Sequence, residues 1–298
     1  MYKDTIKKNL ERIGKLVDEK IVLSEEGVPI FNWLELSPID LCNRQCVFCP
    51  RSDPSLAPNQ NLSMPANLYR KLAAELLAMD YSGTVLLAGY GEPLLAKDIV
   101  DMVATFSPIC NTEITTNGDS LRPKLIDALL KAGVGKIVLS LYDGPEQVEK
   151  FEKMFAEAGA PRDCYILRDR WYGSDDNFGI KLTNRAGTVQ CGTQPSIDSR
   201  KSCYYPHYSM MVDWNGDVFL CPQDWHRRVK AGNVMLSTLM ETWTSVQMRR
   251  HRTRLANGRR ELFPCLHCNA EGTLHGLNHA RAWNAFYGNT GDDWEAEA

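Results

Sequence analysis

Residues 41–50 read L-C-N-R-Q-C-V-F-C-P and place Cys42, Cys46 and Cys49 within one short loop. The loop follows an apolar run at residues 31–39 that predicts a β-strand. Three thiolates can wrap one face of a [4Fe–4S] cluster and leave one iron without a protein ligand. Chemistry at a metal needs such an open position. The stretch therefore predicts a catalytic cluster at a strand end, with a zinc knuckle or simply buried cysteines as the alternatives.

Outward from this loop, short apolar runs alternate with longer helix-like segments. Further strands are predicted at 84–88, 112–115, 136–140, 164–167 and 179–182, and helices at 65–79, 97–106, 123–132 and 145–158. Alternation of this kind predicts a parallel sheet with crossovers of one hand. The units are too few for a closed eight-stranded barrel. We therefore predict an α/β fold with an open, partial (β/α)6 barrel.

The alternation stops near residue 186, which indicates a change of domain. An amphipathic helix is predicted at 5–18, before the barrel. Half of the cysteines and all six histidines lie beyond the barrel. We predict an N-terminal helical extension at 1–33, the partial barrel at 34–190, and a small β-hairpin and helix iron–sulfur domain at 191–298.

Three further motifs follow predicted strands, at the edge where parallel sheets bind ligands. They are G-Y-G-E-P at 89–93, T-T-N-G at 115–118 and S-L-Y-D-G at 140–144. Each motif alone is compatible with an ordinary polar turn, because glycine, proline, asparagine and aspartate are common in turns. Four motifs in this order, each after a strand, favour a shared binding site.

Together, the cysteine spacing and these motifs resemble the radical S-adenosylmethionine (SAM) superfamily over residues 34–187. The resemblance implies a [4Fe–4S] cluster whose open iron binds the methionine part of SAM, and reductive cleavage to a 5′-deoxyadenosyl radical that abstracts hydrogen from a substrate carbon. It implies that Phe48 lies near the adenine. Gly91 and Glu92 would meet the methionyl ammonium, with Tyr90 replacing the first glycine of the family's G-G-E-P loop.

Other site residues also follow from the resemblance. Thr116 and Asn117 match an element beside the cofactor, and Ser140 and Asp143 match an element near the ribose, with one extra residue before the aspartate. Arg185 lies in an N-R-x-G element and would contact the cofactor carboxylate or the substrate. A surface arginine at a domain junction is the alternative for Arg185.

A second set of cysteines consists of Cys203, Cys221, Cys265 and Cys268. Alternating apolar residues around Asn215-Gly216 predict a β-hairpin that ends at Cys221. Four thiolates make a closed site, and their spacing alone leaves zinc and iron–sulfur equally open. The pattern resembles the SPASM and twitch extensions of the same superfamily, and is nearest to the aminocyclitol dehydrogenases.

A full SPASM pattern would continue with cysteines where this chain has Leu274 and Asn278. The resemblance therefore implies one auxiliary [4Fe–4S] cluster. With no open iron, that cluster would accept an electron, and a hydroxyl of an aminocyclitol or sugar-like substrate would become a ketone. The alternatives are an epimerase that uses Cys191 as a hydrogen donor, a peptide-modifying maturase with a peptide partner, and a non-catalytic metal-binding interaction protein. An external electron donor such as flavodoxin or ferredoxin is expected.

The amino-acid composition argues against several classes of partner and cellular location. The net charge is −3 and the sequence pI about 6.1, which argues against a nucleic-acid partner. We interpret the basic run at 249–260 as a solvated helix face. No apolar segment approaches the ~20 residues of a membrane span, and the N-terminus lacks the features of a secretory signal. A cytoplasmic enzyme without a membrane partner is expected, in which ten cysteines favour metal or redox chemistry over disulfides.

Overall fold

The computed structural model describes residues 2–180 and 182–288. Five strands form its parallel sheet: β1 (Trp33–Leu36), β2 (Thr84–Leu87), β3 (Asn111–Thr116), β4 (Lys136–Leu141) and β5 (Tyr165–Asp169). Four helices connect them: α2 (Ala66–Ala78), α3 (Ile99–Phe106), α4 (Pro123–Lys131) and α5 (Glu146–Glu157). The open partial barrel is confirmed.

The sixth parallel strand comes from an unexpected part of the chain. The strand predicted at 179–182 is wrong: residues 174–179 form a 3-10 turn with Asn177 and Phe178 at positive φ, and residues 180 and 182 lie in no strand. Residue 181 lies outside the described residues. Instead β6 (Ser209–Val212) pairs in parallel with the free edge of β1, so the sheet order is β5-β4-β3-β2-β1-β6 and continues beyond.

The predicted hairpin extends this same sheet. β6 turns at Asn215-Gly216 into β7 (Asp217–Phe219), and β8 (Lys230–Asn233) adds a further antiparallel strand. Gly216 has φ +85°, the left-handed conformation that favours glycine in such turns. The C-terminal helices are α6 (Tyr205–Tyr208), α7 (Leu239–Trp243), α8 (Val246–Ala256) and α9 (Leu277–Phe286).

The basic run at 249–260 is not a fully solvated face. Arg252 is fully buried, with its guanidinium carbon 3.8 Å from the ring centroids of both Trp243 and Trp283. Arg260 is buried as well. The prediction is wrong for these two side chains, because aromatic faces and main-chain carbonyls stabilise a guanidinium without a carboxylate partner. None of the described helices is long and apolar enough to cross a membrane.

Successive side chains along each strand lie on opposite faces of the sheet, so the barrel has two different faces. Residues such as Leu34, Leu36 and Ile137 are fully buried in the large core between the sheet and helices α2–α5. The intervening residues line the lumen, and several of them, including Glu35 and Glu113, are polar or charged. The apolar face therefore holds the fold together, and the lumen is left for chemistry.

Helix α1 (Tyr2–Asp18) packs at the N-terminal ends of the strands. Its Val17 packs with Trp33 and Leu86 of the lumen. Arg12 donates two hydrogen bonds to the buried carboxylate of Glu113, with N–O distances of 2.6 and 2.7 Å. Asn111 also donates to this carboxylate. The helix thus covers the lower end of the lumen and neutralises one of its charges.

We predict that Arg12→Ala lowers stability by about 3–5 kcal/mol, because it leaves the Glu113 carboxylate buried without its cation. The double variant Arg12→Ala/Glu113→Gln should recover most of the loss. Thermal unfolding of the holoenzyme checks both. Equal losses in the single and double variants would show that the ion pair does not fasten α1.

Candidate active site

The three-cysteine loop lies above the carboxyl end of β1. Cys42 exchanges two hydrogen bonds with the Asn59 side chain, each 2.8 Å long, and the Cys49 N–H bonds to the Cys46 carbonyl at 2.9 Å. All three cysteines line one open cavity of about 240 Å³, referred to below as the active-site cavity. Burial first, and then the neighbouring thiols of Cys49 and Cys42, raise the pKa of Cys46 to about 12. Both effects favour the neutral thiol of Cys46 unless a cation lies beside it.

Two polar side chains of the loop bind the neighbouring strand ends. Asn43 bonds to Asn117 and Asp119, with distances of 2.8 and 2.6 Å. Arg44 pairs with both Asp119 and Asp143. Hydrogen bonding from Arg44 lowers the pKa of Asp143. Asp143 lies just outside the lining of the active-site cavity, so the predicted ribose residue is held at its rim.

Glu92 is buried and joins the ends of β2 and β3. One carboxylate oxygen accepts from the Thr116 hydroxyl at 2.5 Å and from the Leu94 N–H at 3.1 Å, and the other accepts from the Asn117 N–H at 2.8 Å. Burial raises the pKa of Glu92, and these hydrogen bonds oppose the rise. A carboxylate has about four acceptor positions, so capacity for a further donor remains.

Gly91 allows the Glu92 loop to lie directly against the cysteine loop. A Cβ at this position would come within 2.1 Å of the Ile39 carbonyl oxygen and 2.7 Å of the Leu41 carbonyl oxygen. The next N–H, that of Glu92, donates to the Leu41 carbonyl at 2.8 Å. Two strand ends are thus joined backbone to backbone at the cavity.

Aromatic and basic side chains complete the cavity wall. Phe48 packs between Tyr142 and Phe178, with ring centroids 5.9 and 5.1 Å away. Arg168 of β5 donates to the Ser140 hydroxyl at 2.8 Å, while its buried Nε has no partner among the described residues. Burial lowers the pKa of Arg168 to about 9. Sequence reasoning missed Arg168, because no motif marks a lone arginine on a strand.

Tyr90 connects this site to the C-terminal hairpin. Its ring packs edge-on against Trp225 at 4.7 Å, and its hydroxyl donates to the Asp224 carbonyl at 3.1 Å. The guanidinium of Arg227 lies 4.6 Å from the Tyr90 ring centroid. The tyrosine that departs from the family's glycine thus fills the contact between the two parts of the site. Trp225 also lines the cavity and was missed from the sequence.

Arg185 reaches the active-site cavity from a strained turn, and Cys191 does not reach it. Arg185 has φ +46° and is one of the lining residues. The preceding Asn184 exchanges hydrogen bonds with Asn269, which directly follows the C-x2-C pair. Cys191 is absent from the cavity lining. Apart from Asp143 and Cys191, every predicted residue of the first cluster and its cofactor site lines this one cavity.

The fold also brings together the four cysteines of the second set. Cys203, Cys221, Cys265 and Cys268 line a single small pocket beneath the hairpin. Burial raises the pKa of Cys203 to about 11, and burial followed by the other three thiols raises the pKa of Cys221 well above its usual value. Four thiols collected in an apolar pocket are compatible with a metal centre that supplies positive charge.

Zinc and a [4Fe–4S] cluster require different separations of the thiols that bind them. Among residues 2–180 and 182–288, no group of three or more histidine, cysteine or acidic side chains could hold a single metal ion. Zinc needs its ligands on one atom, at about 2.3 Å for sulfur. A [4Fe–4S] cluster places each thiolate on a different iron, so its cysteines lie farther apart. Metal analysis of the purified protein distinguishes the two kinds of centre.

Arg260 organises the second cysteine pocket and was missed from the sequence. It donates to five main-chain carbonyls, those of Lys201, Ser202, Cys268, Ala270 and Glu271. Its charge also lowers the pKa of Cys203 and Cys265 against the effect of burial. A buried cation held by carbonyls is suited to a pocket that collects thiolates.

Beneath the active-site cavity lies a second, smaller one of about 140 Å³, referred to below as the chamber. Its polar lining includes Asn9, Arg12, Glu35, Arg168, Tyr205 and Tyr208. Glu35 is buried, and burial raises its pKa to about 7 against the opposing charge of Arg185 and a hydrogen bond from the Gly89 N–H. This carboxylate therefore changes charge near neutral pH.

Two sequence-family models match this chain, over the two segments that contain the cysteine sets. Residues 36–161 match a sequence-family model of the radical SAM superfamily, and residues 203–269 match one of an iron–sulfur cluster-binding domain, SPASM. The SAM-dependent 2-deoxy-scyllo-inosamine dehydrogenase of Niallia circulans is 28% identical over 245 residues, which are 80% of this chain and 93% of that protein. A GTP 3′,8-cyclase of Synechococcus elongatus is 35% identical over 124 residues, but these are only 41% of this chain and 37% of the cyclase.

Solved structures extend the likeness to most of the fold. A crystal structure of BtrN with AdoMet and 2-DOIA matches at a TM-score of 0.68 and 25% identity, covering 81% of this chain and 94% of BtrN. A structure of anSMEcpe with AdoMet, at a TM-score of 0.51 and 11% identity, shares the fold alone.

The fold and the two cysteine sets define an iron–sulfur oxidoreductase that uses SAM. The chain belongs to the radical SAM superfamily and carries a SPASM-type auxiliary cluster domain. Its cofactors are a catalytic [4Fe–4S] cluster, an auxiliary iron–sulfur cluster and SAM.

We predict that Gly91→Ala lowers SAM affinity at least tenfold, because the new Cβ must push the Glu92 loop away from β1. Tenfold corresponds to about 1.4 kcal/mol. Titration of the reconstituted protein with SAM measures the effect. Gly173→Ala is the matched control, since a Cβ there meets nothing within 4 Å. Equal affinity in both variants would refute close backbone packing at this loop.

A second prediction concerns pH. The pKa of Glu35 is raised in the folded state, so its contribution to stability is greatest at low pH and is lost as pH rises through about 7. Relative to Glu35→Gln, the wild-type enzyme should lose about 2 kcal/mol between pH 5.5 and 8. Denaturant midpoints of the two holoenzymes at both pH values measure the difference. A constant difference would mean that Glu35 does not titrate in this range.

Proposed function

We propose that this enzyme oxidises one hydroxyl of an aminocyclitol or a sugar-like ring to a ketone. The observation that carries the proposal is that the wall of the active-site cavity, which the first cysteine set lines, also contains residues connected to the second set. Its wall contains Arg185, whose turn is hydrogen-bonded to the C-x2-C segment, and Trp225, four residues after Cys221. A substrate there would lie at the catalytic cluster, against wall residues that lead to the electron acceptor. The similarity to the Niallia circulans dehydrogenase supports the substrate class.

We assign the cluster ligands and the cofactor contacts as the sequence predicts them. Cys42, Cys46 and Cys49 would hold the catalytic cluster, and the second cysteine set, Cys203, Cys221, Cys265 and Cys268, the auxiliary one. When bound, these groups together with SAM supply a 5′-deoxyadenosyl radical for hydrogen abstraction and a one-electron acceptor.

The SAM molecule itself would be held at the strand ends. Glu92, Thr116 and Asn117 form one hydrogen-bonded unit beside Gly91, and this unit suits the methionyl ammonium. Phe48 would pack on the adenine. Ser140 and Asp143 are assigned to the ribose side, for which Asp143 would exchange part of its pairing with Arg44.

The remaining wall suits a substrate rich in hydroxyl groups. Arg168 has an unpartnered Nε, and Arg185 faces the same cavity. A guanidinium donates hydrogen bonds and accepts none, so both side chains favour a ligand with acceptor oxygens. Tyr142 and Trp225 add apolar surface that can pack against the carbons of a ring.

Epimerisation is the weaker alternative, because Cys191 does not line the cavity. For the domains we propose the boundaries 1–33, 34–190 and 191–298. We further propose a reduced flavodoxin or ferredoxin as the electron donor, and the cytoplasm as the compartment, since all ten cysteines are free thiols.

The test uses reconstituted enzyme with dithionite, SAM and 2-deoxy-scyllo-inosamine, beside a panel of other aminocyclitols, sugars and peptides. We expect about eight irons per chain, four for each cluster, and one ketone formed per 5′-deoxyadenosine. Cys42→Ala should abolish 5′-deoxyadenosine formation and keep about half of the iron. Cys221→Ala should keep SAM cleavage and lose the ketone.

Two variants serve as controls. Cys110→Ala alters a half-buried thiol outside both sites and should leave both products unchanged. Cys191→Ala should also leave ketone formation intact, whereas an epimerase would lose its inverted product. Zinc in the second cysteine site, or full ketone yield from Cys221→Ala, would contradict the proposed function.

A further inference from the structure

Oxidation of an alcohol leaves one proton to be removed from the substrate. One hydrogen leaves the carbon as an atom and ends in 5′-deoxyadenosine. The remaining electron passes to the auxiliary cluster under the proposed function. The O–H bond must also break as the C=O bond forms, and its proton needs an acceptor. A positioned base contributes about 10²–10⁴-fold to such a step.

The lining of the active-site cavity offers few acceptors. Its one carboxylate, Glu92, already accepts three hydrogen bonds and belongs to the SAM-binding unit. Arg44 and Arg51 are paired with aspartates. Burial raises the pKa of Tyr142 to about 12, so it is a neutral phenol near pH 7.

Glu35 lies immediately below this cavity. The Gly89 N–H that bonds its carboxylate belongs to a residue of the cavity lining, as does Arg185, whose charge acts on it. Thr115 and Arg168 line both the cavity and the chamber, so they form the wall between the two. Among the described residues, no side chain donates a hydrogen bond to Glu35, which leaves most of its acceptor positions available.

The chamber leads from Glu35 toward solvent. Asn9 and Arg12 of α1 form its lower wall, and the Arg12 side chain is 21% exposed. A polar space of about 140 Å³ has room for water molecules that could relay a proton. The titratable and charged groups that face Glu35 from the surrounding elements are Arg12, Arg168, Arg185, Tyr205 and Tyr208.

We propose that Glu35 is the base that receives the proton of the oxidised hydroxyl, and that the chamber returns this proton to solvent beside α1. The O–H bond of the substrate breaks, and a new O–H bond forms on the Glu35 carboxylate. The charge of Arg185 favours the carboxylate form that can accept a proton, and burial keeps that carboxylate basic enough to do so near neutral pH. The inference rests on the proposed function, since it names the base of that reaction.

The test compares wild-type enzyme, Glu35→Gln and Glu35→Asp, using 2-deoxy-scyllo-inosamine deuterated at the ring carbons. Glu35→Gln should still transfer deuterium into 5′-deoxyadenosine, which shows intact abstraction, while ketone formation falls at least 100-fold. Wild-type ketone formation should rise with pH through about 7, and this rise should be absent from Glu35→Gln. Glu35→Asp should restore part of the ketone yield. Glu113→Gln, at a lumen carboxylate paired with Arg12, should keep the wild-type ratio of ketone to 5′-deoxyadenosine.

An infrared titration of the holoenzyme without substrate gives a readout apart from activity. A protonated-carboxyl band that titrates near pH 7 should be present in wild type and absent from Glu35→Gln. An unchanged product ratio in Glu35→Gln, or no such band, overturns the inference and leaves the proposed function standing. If wild type cleaves SAM but oxidises no aminocyclitol or sugar, the proposed function fails and the inference fails with it. If Glu35→Gln does not assemble, Glu35→Asp and the infrared titration decide.

Discussion

The structure depends on one buried carboxylate, that of Asp40, which lies between β1 and the cysteine loop. Two guanidinium groups bind it: Arg51, directly after the cysteines, and Arg227, from the C-terminal hairpin, at 2.9 Å. Arg51 also donates to the Tyr90 carbonyl, and Arg227 also pairs with Asp213. Removing one member of such a buried set costs about 3–5 kcal/mol, because an uncompensated charge remains. A single carboxylate thus sets the position of the catalytic loop, the Glu92 loop and the hairpin relative to one another.

Much of this arrangement follows from the sequence, because it depends on local spacing. Alternating strands and helices fix the parallel order of β1 to β5, and each motif lies at a strand end for the same reason. The hairpin turn at Asn215-Gly216 was predicted because such turns favour a glycine in the left-handed conformation. Gly91 was identified as a site residue, although its need for close backbone contact appears only in three dimensions. These features involve residues close together in the chain or a period that repeats along it.

The features that the sequence did not reveal depend on contacts between distant segments. Nothing local marks β6 as the partner of β1, since its residues alternate like those of any hairpin strand. Arg252 and Arg260 lie in a basic run whose composition is typical of a solvated face. Only the tryptophans and carbonyls around them explain their burial. Glu35 reads as an ordinary polar residue of a strand. Its raised pKa comes from burial in the lumen, against which the charge of Arg185 and the Gly89 N–H act.

The pairing of β6 with β1 has a consequence for biosynthesis. Strand β1 has one neighbour at residues 84–87 and the other only at residues 209–212. A ribosome adds residues from the N-terminus, so the central strand that precedes the cysteine loop has an exposed edge until more than two thirds of the chain has been made. Open strand edges invite pairing with other chains. The nascent chain therefore presents its first three cluster-binding thiols beside an incomplete sheet, and this edge is covered only after residues 209–212 have been made.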